Sequence, residues 1–375
     1  MEKRDEFANM QLDSRLLAAV ADLGFETPTP VQRTGIPAGL AGRDVLGCAA
    51  TGSGKTAAFV LPILQRLLER ERGVTRALVV VPTRELAMQV EDHVRSLAAH
   101  TGIRVAAIFG GVAMGPQVSA FKRGVDVMVA TPGRLLDHMG RRHGGLEGVE
   151  VLVLDEADRM LDMGFLPAIR RIIGHLPPGP RQTFFFSATL PRAVVKLAGE
   201  MLMSEPARID VERKQAPATS VAQAIFEVDQ KAKAELLMAL LDRDQIGNAI
   251  VFTRTKHRAN RLAQKLERRG VAVARIHGNR SQNQRTRALE GFRAGRYRVI
   301  VATDILARGI DIEALDHVVN FDMPATADDY IHRVGRTGRA DASGDAFTFV
   351  TPDDLELVRV IERTVGRSIE RRRLG

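Results

Sequence analysis

The sequence is poor in cysteine and contains no long apolar stretch. Cys48 is the only cysteine among 375 residues, which excludes a disulfide framework and a zinc site built from several cysteines. No segment approaches the roughly 18 apolar residues of a membrane-spanning helix. Residues 1–10 mix acids with bases and lack the apolar run of a signal peptide. These absences predict a protein of a reducing, cytoplasmic compartment with no membrane partner.

Tryptophan is also absent, and tyrosine occurs only twice. Few side chains are therefore available to stack on bases, which argues against an aromatic platform for single-stranded nucleic acid. The net charge is nevertheless +9, and Arg supplies 45 of the 54 basic residues. A basic excess is typical of proteins with a polyanionic partner, and Arg suits bidentate phosphate contacts. A solvated basic surface explains the charge equally well.

Short apolar runs alternate with longer segments of helical periodicity. Near-continuous apolar runs are typical of strands that are buried on both faces, and their alternation with helices predicts parallel, doubly wound sheets. The fold class is therefore α/β. The predicted strands are residues 44–48, 77–81, 105–109, 125–130, 151–154, 182–186, 249–252, 271–276, 298–301, 317–320 and 346–350.

This alternation is interrupted at residues 211–220, which are polar, contain Pro217 and lack apolar periodicity. We interpret them as a flexible linker between a first domain of residues 1–210 and a second domain of residues 221–375; one long surface loop is the alternative. The chain length agrees with about two domains. The two halves share a strand–helix plan, which indicates two similar sheets in tandem.

A glycine-rich loop follows the first predicted strand and precedes a helical segment. Its sequence, AATGSGKT, departs from the strict phosphate-loop pattern because Ala49 stands at the first glycine position. Glycines let backbone N–H groups converge on phosphates, and a helix N-terminus adds positive potential. Lys55 would reach the β- and γ-phosphates of a nucleotide, and Thr56 would hold Mg²⁺. The predicted binding residues are Ala50, Thr51, Gly52, Ser53, Gly54, Lys55 and Thr56.

Three acidic residues, Asp155, Glu156 and Asp158, follow the strand predicted at 151–154. A carboxylate at the C-terminal end of that strand can bind Mg²⁺, usually through water, opposite the loop threonine. Glu156 is placed to orient and polarise an attacking water. An acidic first turn of a helix is the alternative explanation, and the phosphate loop upstream argues against it.

Residues 332–339 read HRVGRTGR. Arg336 and Arg339 are three residues apart, so on a helical turn they would share one face. The second half has no phosphate loop of its own, and these arginines would therefore act in trans on the γ-phosphate. An arginine in that role is worth roughly 10³–10⁵ in rate. A solvated basic helix end is the ordinary alternative.

Together these motifs, in this order, resemble those of the DEAD-box RNA helicases of superfamily 2 over nearly the whole chain. Residues 24–32, GFETPTPVQ, are similar to the Q motif, in which Gln32 would read the adenine edge and Phe7 would help to cover the base. Phe25 and Thr27 belong to the same nucleotide-binding set. The phrases FTRTKH, HGNRSQNQRTRAL and RQTFFFSATLP resemble those of the bacterial RhlE-type subgroup. The resemblance implies two tandem RecA-like domains, ATP and Mg²⁺ as cofactors, RNA as partner and a monomeric chain.

The resemblance also implies roles for shorter motifs, each of which alone would be a turn or a helix cap. Asp311 would contact the ribose. Hydrolysis would be coupled to strand separation by Asp158, Ser187, Thr189 and His332. The implied RNA contacts are Pro82, Thr83, Arg84, Gly110, Gly111, Thr131, Pro132, Gly133 and Arg134 in the first domain and Arg254, Gln282, Arg285, Thr303 and Asp304 in the second.

The predicted function is RNA-dependent ATP hydrolysis that opens RNA duplexes locally and non-processively or remodels RNA–protein complexes. The catalytic residues would be Lys55, Asp155, Glu156, Arg336 and Arg339, so turnover would depend on closure of the two domains. Two alternatives remain: a DNA-directed translocase of the same superfamily, and an ATP-gated RNA clamp with little turnover. The basic residues 368–375 are interpreted as a short RNA-binding extension or the remainder of a longer tail.

Overall fold

The computed structural model describes residues 6–49, 52–141, 145–203, 205–210, 221–243, 245–277, 280, 282–303, 315–337 and 344–373, with only the backbone at residues 210, 282, 283, 286 and 328. The chain divides into two compact units, Met1–Arg213 and Lys214–Gly375. Within the described ranges, none of the helices has the length and apolar character needed to cross a membrane. The predicted linker, residues 211–220, lies outside the described residues.

The first unit is built on a seven-stranded sheet whose pairings are parallel. The strand order is β3-β4-β2-β5-β6-β1-β7. Strands β2, β4, β5 and β6 are buried along their whole length, as their apolar runs predict. In chain order the strands are β1 (Val45–Cys48), β2 (Ala77–Val80), β3 (Val105–Ile108), β4 (Val127–Ala130), β5 (Val151–Leu154), β6 (Gln182–Ser187) and β7 (Ala207–Asp210).

Helices cover both faces of this sheet. Phe184 and Phe186 on β6 point into one core cluster, and Phe185 points into the other. The first cluster is closed by α1–α4 and the second by α5–α9, so the sheet is doubly wound. The helices are α1 (Ser14–Asp22), α2 (Pro30–Leu40), α3 (Lys55–Leu67), α4 (Arg84–Leu97), α5 (Met114–Arg123), α6 (Pro132–Gly140), α7 (Ala157–Asp162), α8 (Leu166–Ile173) and α9 (Arg192–Met201).

The second unit repeats the plan of the first. Its parallel sheet has the order β10-β11-β9-β12-β13-β8-β14, which is the same order when strands are counted from the start of each unit. The prediction of two similar tandem sheets is confirmed. The elements are β8 (Val221–Glu227), α10 (Lys233–Asp242), β9 (Ala249–Phe252), α11 (Lys256–Arg268), β10 (Val273–Ile276), α12 (Gln282–Arg293), β11 (Val299–Ala302), β12 (His317–Asn320), α13 (Ala327–Val334), β13 (Gly344–Val350), α14 (Leu355–Val365) and β14 (Glu370–Arg372).

All eleven predicted strands are present, with ends shifted by at most two residues, but three strands were not predicted. Strands β7 and β8 flank the polar segment that was interpreted as a linker, and β14 lies in the basic C-terminal segment. In their sheets β7 and β14 occupy equivalent outer positions beside the first strand of each unit. Arg371 forms an ion pair with Glu362 on α14, and Ile369 is buried. Residues 369–372 therefore belong to the folded unit and are not merely an extension.

Candidate functional site

The predicted site residues of the first unit follow the carboxyl ends of its strands. The glycine-rich loop follows β1, Asp155 follows β5, and Ser187 ends β6; these three strands are neighbours in the sheet. The predicted RNA contacts follow β2, β3 and β4, which form the opposite side of the same sheet. Open α/β sheets bind their ligands at this edge. The strand order therefore separates the predicted ATP residues from the predicted RNA residues.

The glycine-rich loop turns into α3 at Gly54. Gly52 and Gly54 have φ angles of 83° and 88°, which residues other than glycine rarely adopt. A Cβ atom on Gly54 would also lie only 2.6 Å from Nε2 of Gln32. Glycine is thus required here both by the backbone angle and by the side chain packed against it. Two further predicted loop residues lie outside the described ranges: Ala50 and Thr51.

Gln32 joins the Q motif to this loop. Its side-chain oxygen accepts a 2.9 Å hydrogen bond from the Thr29 N–H, and the Thr29 hydroxyl accepts one from the Gln32 N–H. This reciprocal pair is a capping box that begins α2. The Gln32 Nε2 atom donates to the carbonyl of Gly54 at 3.2 Å. The amide that was predicted to read an adenine edge therefore also fixes the position of the phosphate loop.

The two aromatic residues predicted near the base stack on one another. The ring centroids of Phe7 and Phe25 are 6.5 Å apart with an interplanar angle of 28°. Phe7 exposes only 4% of its surface, whereas Phe25 is half-buried against the same core. Thr27 is exposed. Of the pair, Phe25 presents the accessible ring and Phe7 supports it.

Lys55 and Asp155 form a buried ion pair, with Nζ 3.3 Å from Oδ1. Within the described part of the chain, the ammonium makes no hydrogen bond of good geometry. Burial alone would lower the pKa of Lys55, but the carboxylates of Asp155, Glu156 and Asp158 outweigh it and raise that pKa. Lys55 therefore stays protonated with donors to spare. A phosphate oxygen is the acceptor that such an ammonium lacks.

Glu156 adopts a left-handed backbone conformation, with φ 55° and ψ 51°. Its N–H donates to Asp155 Oδ1 at 2.9 Å, and its Oε2 atom accepts from Nη1 of Arg159 at 2.9 Å between two buried side chains. Left-handed backbone in a non-glycine residue costs energy and is concentrated at functional sites. Arg159 was not predicted, although the three-residue spacing from Glu156 on a helix start was visible in the sequence.

The structure brings together the coupling residues predicted in the first unit. Asp158 Oδ2 accepts hydrogen bonds from the N–H and the hydroxyl of Thr189, each at 2.8 Å. Ser187 Oγ accepts from the Asp158 N–H at 3.2 Å and donates to the Thr189 carbonyl at 2.6 Å. The acidic segment after β5 is thus bonded to the segment after β6.

The charge balance of this cluster fits a cation. Three carboxylates, of Asp155, Glu156 and Asp158, face the two cations of Lys55 and Arg159. Burial raises the pKa of Asp155, and Lys55 opposes that shift. The carboxylates of this cluster thus outnumber its cations by one. Oxygen ligands of this kind suit Mg²⁺. No group of three His, Cys, Asp or Glu side chains arranged for a metal occurs in the ranges described, so phosphate and water would supply most ligands.

Three predicted RNA-binding segments meet at residues 109–113, which we call the GG loop. A Cβ atom on Gly111 would lie 2.0 Å from Nη1 of Arg84, which shows that the guanidinium packs directly on the glycine. Arg134 Nη1 donates to the carbonyl of Val112 at 3.1 Å. Arg84 begins α4 and Arg134 lies in the first turn of α6. Side chains from α4 and α6 therefore both contact the loop after β3.

The predicted threonines stand at the starts of the same helices. The Thr83 hydroxyl accepts from the Leu86 N–H at 3.3 Å and caps α4. Thr131 precedes α6, and its hydroxyl lies 3.5 Å from the carbonyl of Ile108. Helix N-termini carry free N–H groups and positive potential that suit phosphate. The other predicted residues nearby are Pro82 and Pro132, which are buried, Gly110, which is half-buried, and Gly133, which is exposed.

In the second unit the predicted RNA contacts again follow neighbouring strands. Arg254 follows β9 with an exposed side chain, and Thr303 follows β11. Asp322, which follows β12, accepts a 2.9 Å hydrogen bond from the Arg254 N–H and pairs with Arg258 at 2.6 Å. Asp322 was not predicted, and only its position after a buried strand signalled it.

Several predicted residues of this unit are not fully described. Arg285 lies on α12 and is buried. His332 is half-buried near the end of α13. The side chain of Gln282 is outside the described part, as are the whole residues Asp304, Asp311 and Arg339.

The arginines of the HRVGRTGR segment differ in their surroundings. Helix α13 ends at Val334, and Thr337 forms a strand-like bridge with Leu315. Arg336 lies in the turn after the helix, where its N–H donates to the carbonyl of Arg333 at 3.1 Å. Arg339 lies outside the described residues, so the shared face of the two arginines stays a prediction. Arg336 is buried, and its Nε atom donates to the carbonyl of His332 at 3.3 Å.

Arg333 belongs to the core of the second unit. It exposes 3% of its surface and donates to Oδ1 of Asn320 at 3.0 Å and to the carbonyl of Asp322 at 2.7 Å. Its guanidinium carbon lies 4.9 Å from the ring centroid of Phe252, a favourable cation–π position. This arginine fixes α13 on the sheet.

Two family descriptions match this chain. The DEAD/DEAH box helicase family matches residues 29–197, and the helicase conserved C-terminal domain matches residues 232–341. Among curated proteins, the DEAD-box ATP-dependent RNA helicase CshA of Bacillus subtilis is 42% identical over 97% of this chain and 73% of its own length. The CshA protein of Geobacillus kaustophilus is 44% identical over 97% of this chain and 78% of its own length.

Solved structures show the same similarity. Dbp5 of S. cerevisiae bound to RNA and ADP BeF3 matches with a TM-score of 0.86 and 31% identity, over 98% of this chain and 95% of that chain. The DEAD-box helicase Mss116 bound to ssRNA and UDP-BeF matches with a TM-score of 0.89 and 28% identity, over 100% and 81%. Both sheets therefore have the RecA-like fold. The chain belongs to the DEAD-box ATP-dependent RNA helicases, and it is an RNA-dependent ATP hydrolase.

Proposed function

We propose that ATP is hydrolysed at the carboxyl edge of β1, β5 and β6. The observation that carries this proposal is the buried set in which Lys55 pairs with Asp155 and Gln32 is bonded to the phosphate loop. Lys55 would bind the β- and γ-phosphates, Gln32 the adenine edge, and Phe25 the base. Glu156 would orient the attacking water, since a positioned carboxylate contributes typically 10²–10⁴-fold.

Thr56 and Asp155 are the residues that would hold Mg²⁺. Bound there, Mg²⁺ would neutralise charge on the β- and γ-phosphate oxygens. The excess of carboxylates over cations in this cluster supports the assignment, because Asp158 lies beside the Lys55–Asp155 and Arg159–Glu156 pairs. Lys55 would hold the phosphates against the same edge.

Arginines of the second unit would complete the catalytic set. Arg336 and Arg339 would stabilise charge on the γ-phosphoryl oxygens, and Asp311 would contact the ribose. Hydrolysis would then require closure of the two units, driven by ATP and RNA together. His332 would take part in the same coupling, as would the bonded segments at Asp158 and Thr189.

RNA would be held through its backbone at the strand ends of both units. Small polar side chains, helix N-termini and arginines suit phosphate and 2′-hydroxyl contacts, which carry no base information. The exposed Arg254 and the arginines at the GG loop support this mode. Duplex opening would be local and non-processive, with little sequence preference.

Four finer assignments are also proposals. The phrases FTRTKH and HGNRSQNQRTRAL favour the RhlE-type subgroup. Residues 1–210 and 221–375 would be the two domains, with 211–220 as a flexible linker. The single cysteine favours the cytoplasm. We expect a monomer, because one chain supplies every predicted site residue.

An ATPase assay with alternative nucleic acids tests the proposal. Turnover should be stimulated by single-stranded RNA and much less by DNA of the same sequence; equal stimulation would favour a DNA-directed translocase. Short RNA duplexes should be opened during turnover, whereas an RNA clamp would bind RNA without opening them. Arg339→Ala should lower RNA-stimulated hydrolysis by at least about a hundredfold. The matched control is Arg363→Ala on the exposed face of α14, which should have wild-type activity.

A further inference from the structure

A buried amide lies beneath the GG loop. Gln117 on α5 exposes 6% of its surface, and its Nε2 atom donates to the carbonyl of Phe109 at 3.0 Å. Its Oε1 atom lies 3.1 Å from Nε2 of His138 on α6, a residue that is 1% exposed. Gln117 therefore connects the first residue of the loop to α6, the helix whose first turn carries Arg134.

The direction of these hydrogen bonds follows from their partners. A carbonyl only accepts, so the NH₂ group of Gln117 must face Phe109. The amide oxygen then faces His138, whose Nε2 must carry the proton. The His138 ring packs against Phe121 with centroids 4.9 Å apart. The His138 ring thus fixes the orientation of the amide, and the amide fixes the loop carbonyl.

Three different helices contact the GG loop. Arg84 of α4 packs on Gly111, Arg134 of α6 bonds to Val112, and Gln117 of α5 bonds to Phe109. The two arginines are themselves proposed RNA contacts, so their bonds to the loop compete with phosphate. Gln117 is too buried to compete in this way. Because Gln117 is buried, we expect its hydrogen bond to Phe109 to remain when RNA binds.

We propose that Gln117, oriented by His138, is a positioning residue that sets the affinity for RNA without touching it. By holding the Phe109 carbonyl it would keep the N–H groups and glycines of the GG loop in the conformation that RNA meets. When a loop must become ordered on binding, the free energy of ordering is subtracted from the free energy of binding, and the affinity is lower. This inference rests on the proposed RNA contacts of the GG loop and Arg134.

Gln117→Met tests the inference because it keeps the side-chain length and removes the donor. The RNA concentration at half-maximal ATPase activity should rise about tenfold, which corresponds to about 1.4 kcal/mol of binding free energy. The turnover number at saturating RNA and the KM for ATP should stay within about twofold. Gln117→Glu is nearly isosteric but presents only oxygens to Phe109. It should likewise weaken RNA affinity while leaving the turnover number and the KM for ATP nearly unchanged. Affinity is measured directly by anisotropy of fluorescein-labelled oligouridine with a non-hydrolysable ATP analogue.

Gln65→Met is the matched control. Gln65 lies on α3 and accepts a hydrogen bond from the Asp13 N–H at 2.8 Å, so its replacement removes one side-chain hydrogen bond remote from the GG loop. Its RNA affinity should equal that of the wild type.

Four outcomes decide the matter. Weakened RNA affinity with unchanged turnover and KM supports the inference, and wild-type affinity in both Gln117 variants overturns it. Equal losses in RNA affinity, turnover and KM also overturn it, because they indicate a general structural defect. Arg134→Ala distinguishes a failure of this inference from a failure of the proposed function. Unchanged RNA affinity in that variant would refute the proposed RNA contacts themselves.

Discussion

Replacing Glu156 by Gln isolates the charge of one carboxylate from its shape. The Gln side-chain oxygen can still accept the 2.9 Å hydrogen bond from Arg159, and the left-handed backbone is unchanged. The guanidinium of Arg159 stays charged, so the Gln oxygen keeps a hydrogen bond to a charged group, worth about 1.5–3 kcal/mol, although the ion pair itself is lost. We therefore expect the free energy of unfolding to fall by about 2 kcal/mol, less than the full cost of about 3–5 kcal/mol for breaking the pair.

The effect on turnover should be far larger. A carboxylate that orients and polarises the attacking water contributes about 10²–10⁴ in rate, or about 2.7–5.4 kcal/mol of transition-state free energy. The groups placed to bind ATP, Lys55 and Gln32, are untouched by the substitution. ATP affinity should therefore stay within about twofold while the turnover number at saturating RNA falls at least about a hundredfold.

Glu156→Ala removes the hydrogen-bond acceptor together with the charge. It leaves the buried Arg159 guanidinium without its carboxylate, and breaking a buried ion pair in this way costs about 3–5 kcal/mol. Both variants should lose turnover, and the Ala variant should lose clearly more stability than the Gln variant.

Three measurements check these expectations: RNA-stimulated phosphate release, binding of a fluorescent ATP analogue and urea denaturation. Near-normal turnover in Glu156→Gln would remove the water-orienting role from this residue. Equal stability of the Gln and Ala variants would show that the pairing with Arg159 contributes little to the fold.

Two further predictions follow from the structure. Gly54→Ala should raise the KM for ATP at least about tenfold in steady-state assays. The φ of 88° costs a residue with a Cβ atom about 1–2 kcal/mol, and the new Cβ would displace Gln32. The control Gly199→Ala, at an exposed helix position with open space around it, should leave the KM unchanged. Burial and the neighbouring Arg280 lower the pKa of His277 below its usual 6.5. As the pH falls, His277 is therefore protonated at a higher pH in the unfolded chain than in the folded chain. The free energy of unfolding should therefore decrease below about pH 6.5, and His277→Gln should flatten that decrease in denaturation curves between pH 7.5 and 5.

The parts of the fold that could be predicted are those in which a strand is buried on both faces. Runs such as residues 151–154 have no polar residue to compete with burial, so their sequence alone indicates a central strand. The missed strands are short or flanked by polar residues, and β14 reads ERR. Strand β14 is stabilised by its pairing with β8 and by the Glu362–Arg371 ion pair. Those interactions are made by distant parts of the chain and leave no local pattern.

The positions of the candidate site residues divide in the same way. The places of Lys55, Asp155 and Glu156 could be predicted because each comes just after a buried strand or opens a helix, where backbone geometry fixes its position. The contacts of Arg159 and Gln117 could not, because their partners, the carboxylate of Glu156 and the carbonyl of Phe109, are brought to them only by the folded chain.

The arginines show why composition was the weaker guide to function. Arg333 is buried over Phe252, Arg159 neutralises Glu156, and Arg254 is exposed at a strand end. All three contribute equally to the net charge, yet of these three only the exposed Arg254 can reach a phosphate chain and release the counterions condensed on it. Within one segment, Arg333 holds α13 on the sheet while Arg336 stands beyond the helix end. What an arginine can bind therefore depends on whether its N–H groups already donate to acceptors within the protein. Its position after a particular strand or helix decides whether such acceptors are near.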